Sequence, residues 1–196
     1  MRTVFRLWTS LIVLGIALLG QAPPKDVNGW GKIKWGMTVA QIKALYGAQV
    51  QDSDGSGGNS ADYIEKLVIK GFAIGDDNMD VSVNIDPKSK LIKEVSFSLA
   101  ASSMPIKETG DNLLRQAHVQ KLARSVTYAH LKDSLTQKYG RPTSEEKESN
   151  GSGDTFATWM FPSTVIRLYL AEATNIEFGI LRLRYTATDK KALDKL

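Results

Sequence analysis

The sequence predicts an α+β fold in which two αβββ repeats build one antiparallel sheet with helices packed on one face. An internal echo is the first reason. Trp35, Ile42, Tyr46 and Gly47 are answered 93 residues later by Tyr128, Leu135, Tyr139 and Gly140. The second is that three strand-like segments follow each of these helices as a meander, without the strand–helix alternation of a parallel sheet. The third is composition: 196 residues, 42% hydrophobic and 23% charged, are enough to bury a core and exclude wholesale disorder. The absence of cysteine removes disulfide frameworks, thiolate zinc sites and cysteine nucleophiles together.

Residues 1–22 read as an export address. Met1 to Arg6 carries two arginines and no acid, and Leu7 to Leu19 is an apolar run of 13 residues broken only by Thr9 and Ser10. That is the length of a signal-peptide core, whereas a spanning helix needs about 20 residues. Gly20 and Ala22 suit a peptidase cut and Pro23 hinders it. Two outcomes therefore stand: a periplasmic or secreted chain, or one tethered to the inner membrane through 7–19, which is the only membrane contact expected. Without residues 1–22, 23 basic side chains remain against 21 acidic ones. The two signs are interspersed along the chain, which argues against nucleic acid as a partner.

The first repeat spans 23–105. Thr38 and Gln41 form a capping box, Met37 and Ile42 a hydrophobic staple, and Gly47 the left-handed stop of the first helix. Strands are predicted at Tyr63 to Ile74, Met79 to Asp86 and Leu91 to Leu99; Met79, Val81, Val83 and Ile85 alternate with Asp80, Ser82 and Asn84, one face dry and the other wet. A connecting helix is expected within 106–126, carried by Leu113, Leu114, Ala117 and Leu122. The second repeat, 127–186, opens with Thr127 as cap and Val126–Leu131 as staple, buries Leu131, Leu135 and Tyr139, and stops at Gly140 and Pro142. Its strands are Thr155 to Phe161, Thr164 to Ala171 and Ile176 to Tyr185, with a tight turn at Pro162-Ser163. In the last strand Leu181, Leu183 and Tyr185 face in and Arg182 and Arg184 face out, and Gly179 is expected to mark a bulge. Residues 187–196 form a polar tail.

Trp35-Gly36-Met37-Thr38, followed by Gln41-Ile42 and Leu45-Tyr46-Gly47, resembles the helix opening of small bacterial envelope domains. Similar αβββ units form outer-membrane-assembly lipoproteins of the SmpA/OmlA type and, in tandem, the β-lactamase inhibitor proteins. The likeness covers the layout of 30–186 and about a dozen motif residues. The chain departs from both families in lacking the lipobox cysteine and the inhibitor's cysteines. The resemblance implies a non-catalytic module that binds another envelope protein.

Candidate chemistry is sparse. Asp54-Gly55-Ser56-Gly57-Gly58 superficially resembles the nucleophile loop of trypsin-like proteases, but the order differs and both His118 and His130 follow the serine. As a calcium loop the stretch offers Asp52, Asp54 and Ser56, with Gly57 at the turn, yet Tyr63 stands where a bidentate glutamate belongs. His130, Asp133 and Ser134 share one helical side and are expected to be solvated. The two histidines lack metal-ligand spacing, so no cofactor and no metal are expected. An extended Trp30-Gly31-Lys32-Ile33-Lys34-Trp35 puts Trp30, Lys32 and Lys34 on one face, an aromatic and cationic patch, or else buries both tryptophans.

The functional expectation is an exported, non-enzymatic protein-binding module of the bacterial cell envelope. Its candidate binding residues are Trp30, Lys32 and Lys34 together with the loop residues Gly55, Ser56 and Gly57, and its partner is another envelope or periplasmic protein. The alternatives are a periplasmic enzyme inhibitor or immunity protein and an unrecognised hydrolase using carboxylates.

Overall fold

A computed structural model of the chain describes residues 26–53, 64–74, 77–99, 112–147, 154–172 and 179–188. Among these residues two α-helices, α1 (Val39–Tyr46) and α2 (Asn112–Tyr139), accompany eight strands: β1 (Val50–Asp52), β2 (Ile64–Ile74), β3 (Asp77–Ile85), β4 (Ile92–Leu99), β5 (Ser144–Lys147), β6 (Thr155–Met160), β7 (Thr164–Glu172) and β8 (Gly179–Ala187). They form one antiparallel sheet in the order β1-β2-β3-β4-β8-β7-β6-β5. The chain lays down its first four strands from one edge to the middle and its last four from the other edge to the middle. The mixed α+β class is as the sequence predicts. Each helix, however, is followed by four strands and not three, because the short polar β1 and β5 pair at the two edges.

Local chemistry explains the start of the fold. The Gln41 amide N–H donates to Thr38 Oγ1 (3.4 Å) and the Thr38 N–H donates to Gln41 Oε1 (2.9 Å), which completes the capping box of α1. Ile42 is buried with half-buried Met37 packed on the same core, and Gly47 ends the helix at φ 54°.

The second helix departs from expectation. Residues 112–139 form one helix, so the connecting segment and the helix of the second half are continuous. No Gly or Pro interrupts this stretch, and Thr127, expected as a cap, is a buried interior residue while Val126 is exposed and staples nothing. The stripe Tyr128, Leu131, Leu135 and Tyr139 is buried against the sheet, where α2 crosses β7 and β8. Gly140 (φ 85°) ends α2, and its carbonyl accepts the Trp159 Nε1–H at 2.8 Å, tying the helix end to β6.

Inward residues of six strands meet on one face: Leu67 and Ile69 of β2, Val81 and Val83 of β3, Val95 and Phe97 of β4, Leu181, Leu183 and Tyr185 of β8, Ile166, Leu168 and Leu170 of β7, and Ala157 and Trp159 of β6. The β7–β8 ladder runs without interruption from Thr164–Ala187 to Glu172–Gly179, so the bulge expected at Gly179 is absent. At Gly179 the Arg124 guanidinium of α2 lies over the backbone, so a Cβ there would meet this side chain and push it aside.

An N-terminal strap, 26–37, locks the arrangement. Trp30 and Ile33 exchange two backbone hydrogen bonds (2.9 and 2.8 Å) around Gly31-Lys32, so this segment is a tight turn and not an extended strand. Both side chains therefore point inward, and Trp30 packs edge-on against Phe72 (4.8 Å) and Phe97 (4.9 Å). At the Phe161–Thr164 turn, formed around Pro162-Ser163 as expected, the fully buried Thr164 hydroxyl donates to the Val27 carbonyl and accepts from Trp35 Nε1 at 2.8 Å. Thr164→Val should therefore remove the partner of the half-buried Trp35 indole N–H and Val27 carbonyl and lower stability by about 1 kcal/mol, while Thr164→Ser should retain most of it, as read by urea unfolding.

Beneath the sheet, burial pushes the Tyr128 phenol up to about 12, with the Glu145 carboxylate adding in the same direction. The unfolded chain ionises this group near pH 10 and the folded chain does not, so its stabilising share is complete below about pH 10 and is lost as pH rises towards 12. Tyr128→Phe should flatten the fall in urea midpoint between pH 9.5 and 11.5; an unchanged slope contradicts the assignment.

Candidate functional site

Strand alternation sorts the side chains of β6, β7 and β8. Ala157, Trp159, Ile166, Leu168, Leu170, Leu181, Leu183 and Tyr185 enter the core, so Phe156, Thr158, Arg167, Tyr169, Arg182 and Arg184 stand on the opposite face. Register then chooses neighbours: Thr158, Arg167, Arg184 and Ser96 form one row across β6, β7, β8 and β4, and Phe156, Tyr169 and Arg182 form the next. Strands about 4.8 Å apart and alternate residues about 7 Å apart bring the three arginines onto one small patch. Both helices lie on the other face, and α2 pins β7 and β8 from below.

Phe156, Arg167, Tyr169, Arg182 and Arg184 line a recess of about 200 Å³. Its aromatic wall is a stacked pair, Phe156 on Tyr169, with ring centroids 4.7 Å apart and planes 21° apart. The Tyr169 hydroxyl donates to the Asp154 carboxylate (3.2 Å), which holds the ring in place. The arginines are not neutralised: the ion pairs among the described residues are all made by lysines, and Arg184 Nε is buried without a hydrogen-bond partner. A buried donor without an acceptor is unusual in a native protein and costs about 1–3 kcal/mol. Chemically the recess is suited to a planar or multiply charged anion, with guanidinium forks for the charge and a ring face for the apolar part.

Beside it, Asn84 Nδ2 donates to Glu94 Oε1 (3.0 Å) and Thr186 Oγ1 to Glu94 Oε2 (3.5 Å), and Asn84 Oδ1 is buried without a donor. The pairs Asn84–Glu94 and Glu94–Thr186 place this cluster in the row next to Ser96 and Arg184.

The residues expected from sequence fare unevenly. Trp30 is 8% exposed and sits in the core, so the expected outward aromatic and cationic patch is corrected: Lys32 and Lys34 are exposed but have no Trp30 between them. Gly55, Ser56 and Gly57 lie outside the described residues. Asp52, first of the expected calcium ligands, is paired with Lys43 at 2.7 Å. His130, Asp133 and Ser134 are solvent-exposed as expected. No group of three metal-ligating side chains occurs among the described residues. Alternation in β8 did place Arg182 and Arg184 outward, whereas Phe156, Arg167 and Tyr169 went unread. Their signal was an aromatic residue at the wet parity of two neighbouring strands.

No family model, curated protein or solved structure matches the chain. Among the described residues no helix is long and apolar enough to cross a membrane.

Arg167 and Arg184 are directly opposite on β7 and β8, and like charges so placed repel by about 0.2–1 kcal/mol. Arg167→Gln should therefore raise stability at low salt, with the gain shrinking above 0.3 M salt as screening takes over. No gain at low salt means the two guanidiniums do not feel each other.

Proposed function

We propose that the chain is an exported, non-enzymatic binding module of the bacterial cell envelope, built from two related helix-and-sheet units, that docks a partner protein on the sheet face opposite its helices. One observation carries this reading: three arginines without an ion pair among the described residues stand beside a stacked aromatic pair on one sheet face, where their mutual repulsion and the unpaired Arg184 Nε work against stability. Arginine and aromatic side chains in a recess surrounded by polar residues are what protein interfaces concentrate at their energetic centre. Export is supported by the two arginines and the 13-residue apolar run of the N-terminus. The layout resemblance to SmpA/OmlA-type and β-lactamase-inhibitor-type domains points the same way.

A photo-crosslinking residue at Ser98, which is exposed on the open face opposite Asp80, should capture one envelope protein that then binds the purified chain. The same residue at Gln137, on the solvent side of α2, should not capture it. Capture from Gln137 alone, or turnover of a glycan, peptide or ester that a single Asp or Glu substitution abolishes, contradicts the proposal.

A further inference from the structure

From the unpaired charge in the recess we infer the chemistry of the docked partner: an acidic segment that places two or more carboxylates on Arg167, Arg182 and Arg184 and one flat apolar side chain against Phe156 and Tyr169. This deepens the docking role proposed above and rests on it. Three guanidiniums, none in an ion pair among the described residues, outnumber the two nearby carboxylates, Asp154 on the Tyr169 hydroxyl and Glu94 in the neighbouring row. The patch is net positive, and a single added carboxylate leaves two of the guanidiniums without a partner of their own.

Orphaned atoms give a second, independent reason. Arg184 Nε is buried and lacks an acceptor, and the partner best suited to a guanidinium edge is a carboxylate held through parallel hydrogen bonds. In the neighbouring row Asn84 Oδ1 is buried and lacks a donor. Both orphans lie on the sheet face opposite the helices, on either side of β4; Asn84 is covered at 3% exposure, so the one a docked segment can serve is Arg184, whose side chain is half-buried.

Size sets the scale. A recess of about 200 Å³ corresponds to roughly seven waters at about 30 Å³ each, room for a side chain or two and not for a folded element. The recess is thus the anchor of a wider contact.

The test is a titration of the full chain with the blocked pentapeptide Asp-Glu-Phe-Asp-Glu, its neutral isostere Asn-Gln-Phe-Asn-Gln, and inorganic pyrophosphate, followed by the arginine Nε–Hε NMR signals and by fluorescence anisotropy. The acidic peptide is expected to bind at 20 mM salt, to shift the Arg184 signal, and to weaken about tenfold on raising salt to 0.2 M. Arg184→Gln should weaken it by about tenfold or more, and Arg167→Gln and Arg182→Gln likewise, since removing one of several charge-assisted contacts has this scale. Arg167 and Arg182 are exposed, so these two variants keep the test valid if Arg184→Gln does not fold. Equal binding of the neutral isostere, or unchanged binding by all three variants, overturns the inference. So does pyrophosphate binding the same arginines more tightly than the peptide, which assigns the recess to a phosphate-bearing ligand. If the partner captured from Ser98 binds an Arg167→Gln/Arg182→Gln/Arg184→Gln chain as well as the original, docking stands and the acidic anchor falls. If the peptide binds as expected and no partner is captured, the anchor stands and the docking role falls.

Discussion

The pairing of β4 with β8 is the constraint on which the rest depends. Four matched pairs, Glu94–Thr186, Val95–Tyr185, Ser96–Arg184 and Phe97–Leu183, join two four-stranded halves into one sheet. On the inner face the seam is closed by rings: Trp30 touches Phe97, Phe97 lies 5.8 Å from Tyr185, and Tyr185 lies 6.4 Å from Tyr139, which in turn meets Phe161. Burial, the neighbouring Tyr139 phenol and the hydrogen bond between the two hold the Tyr185 phenol well above its ordinary range. Because strand residues alternate, a shift of one residue at this seam would turn Arg184 inward and Tyr185 outward.

The same alternation ties core to recess. Leu181, Leu183 and Tyr185 are held by α2 from beneath, so Arg182 and Arg184 above them stand on a fixed platform. The strap adds a second clamp, since Asp26 accepts from the Ser163 amide (2.9 Å) and hydroxyl (2.6 Å) while Trp35 reaches Thr164. A surface that opposes Arg167 to Arg184 and buries Arg184 Nε unpaired conflicts with what folding alone favours. Such conflicts concentrate where a protein does its work.

Much of this was legible in the chain itself. The six long strands follow from alternation and lie within a few residues of their expected ends, and the capping box and Gly47 define α1 by local chemistry. The edge strands β1 and β5 were not legible, because Val50-Gln51-Asp52 and Ser144 to Lys147 carry no apolar alternation and become strands only by pairing with β2 and β6. The join within α2 was hidden by Thr127, whose residue type favours caps but whose side chain is buried mid-helix. Trp30 was misplaced because glycines at positive φ, Gly29 and Gly31, fold its segment into a turn, and parity holds only along extended chain. The recess was half legible: parity orients each side chain, but which strands become neighbours is decided at the β4–β8 seam by residues about 90 apart in sequence.

Amide hydrogen exchange across that seam tests the account most directly. If one sheet carries the recess, the slow amides of 95–97 and 183–185 should exchange together with those of Val81 and Ile166, through global unfolding at a single free energy. Separate protection levels for the β2–β4 and β6–β8 halves, with the seam exchanging fast, would mean two independent sheets and no continuous face for a partner to cover.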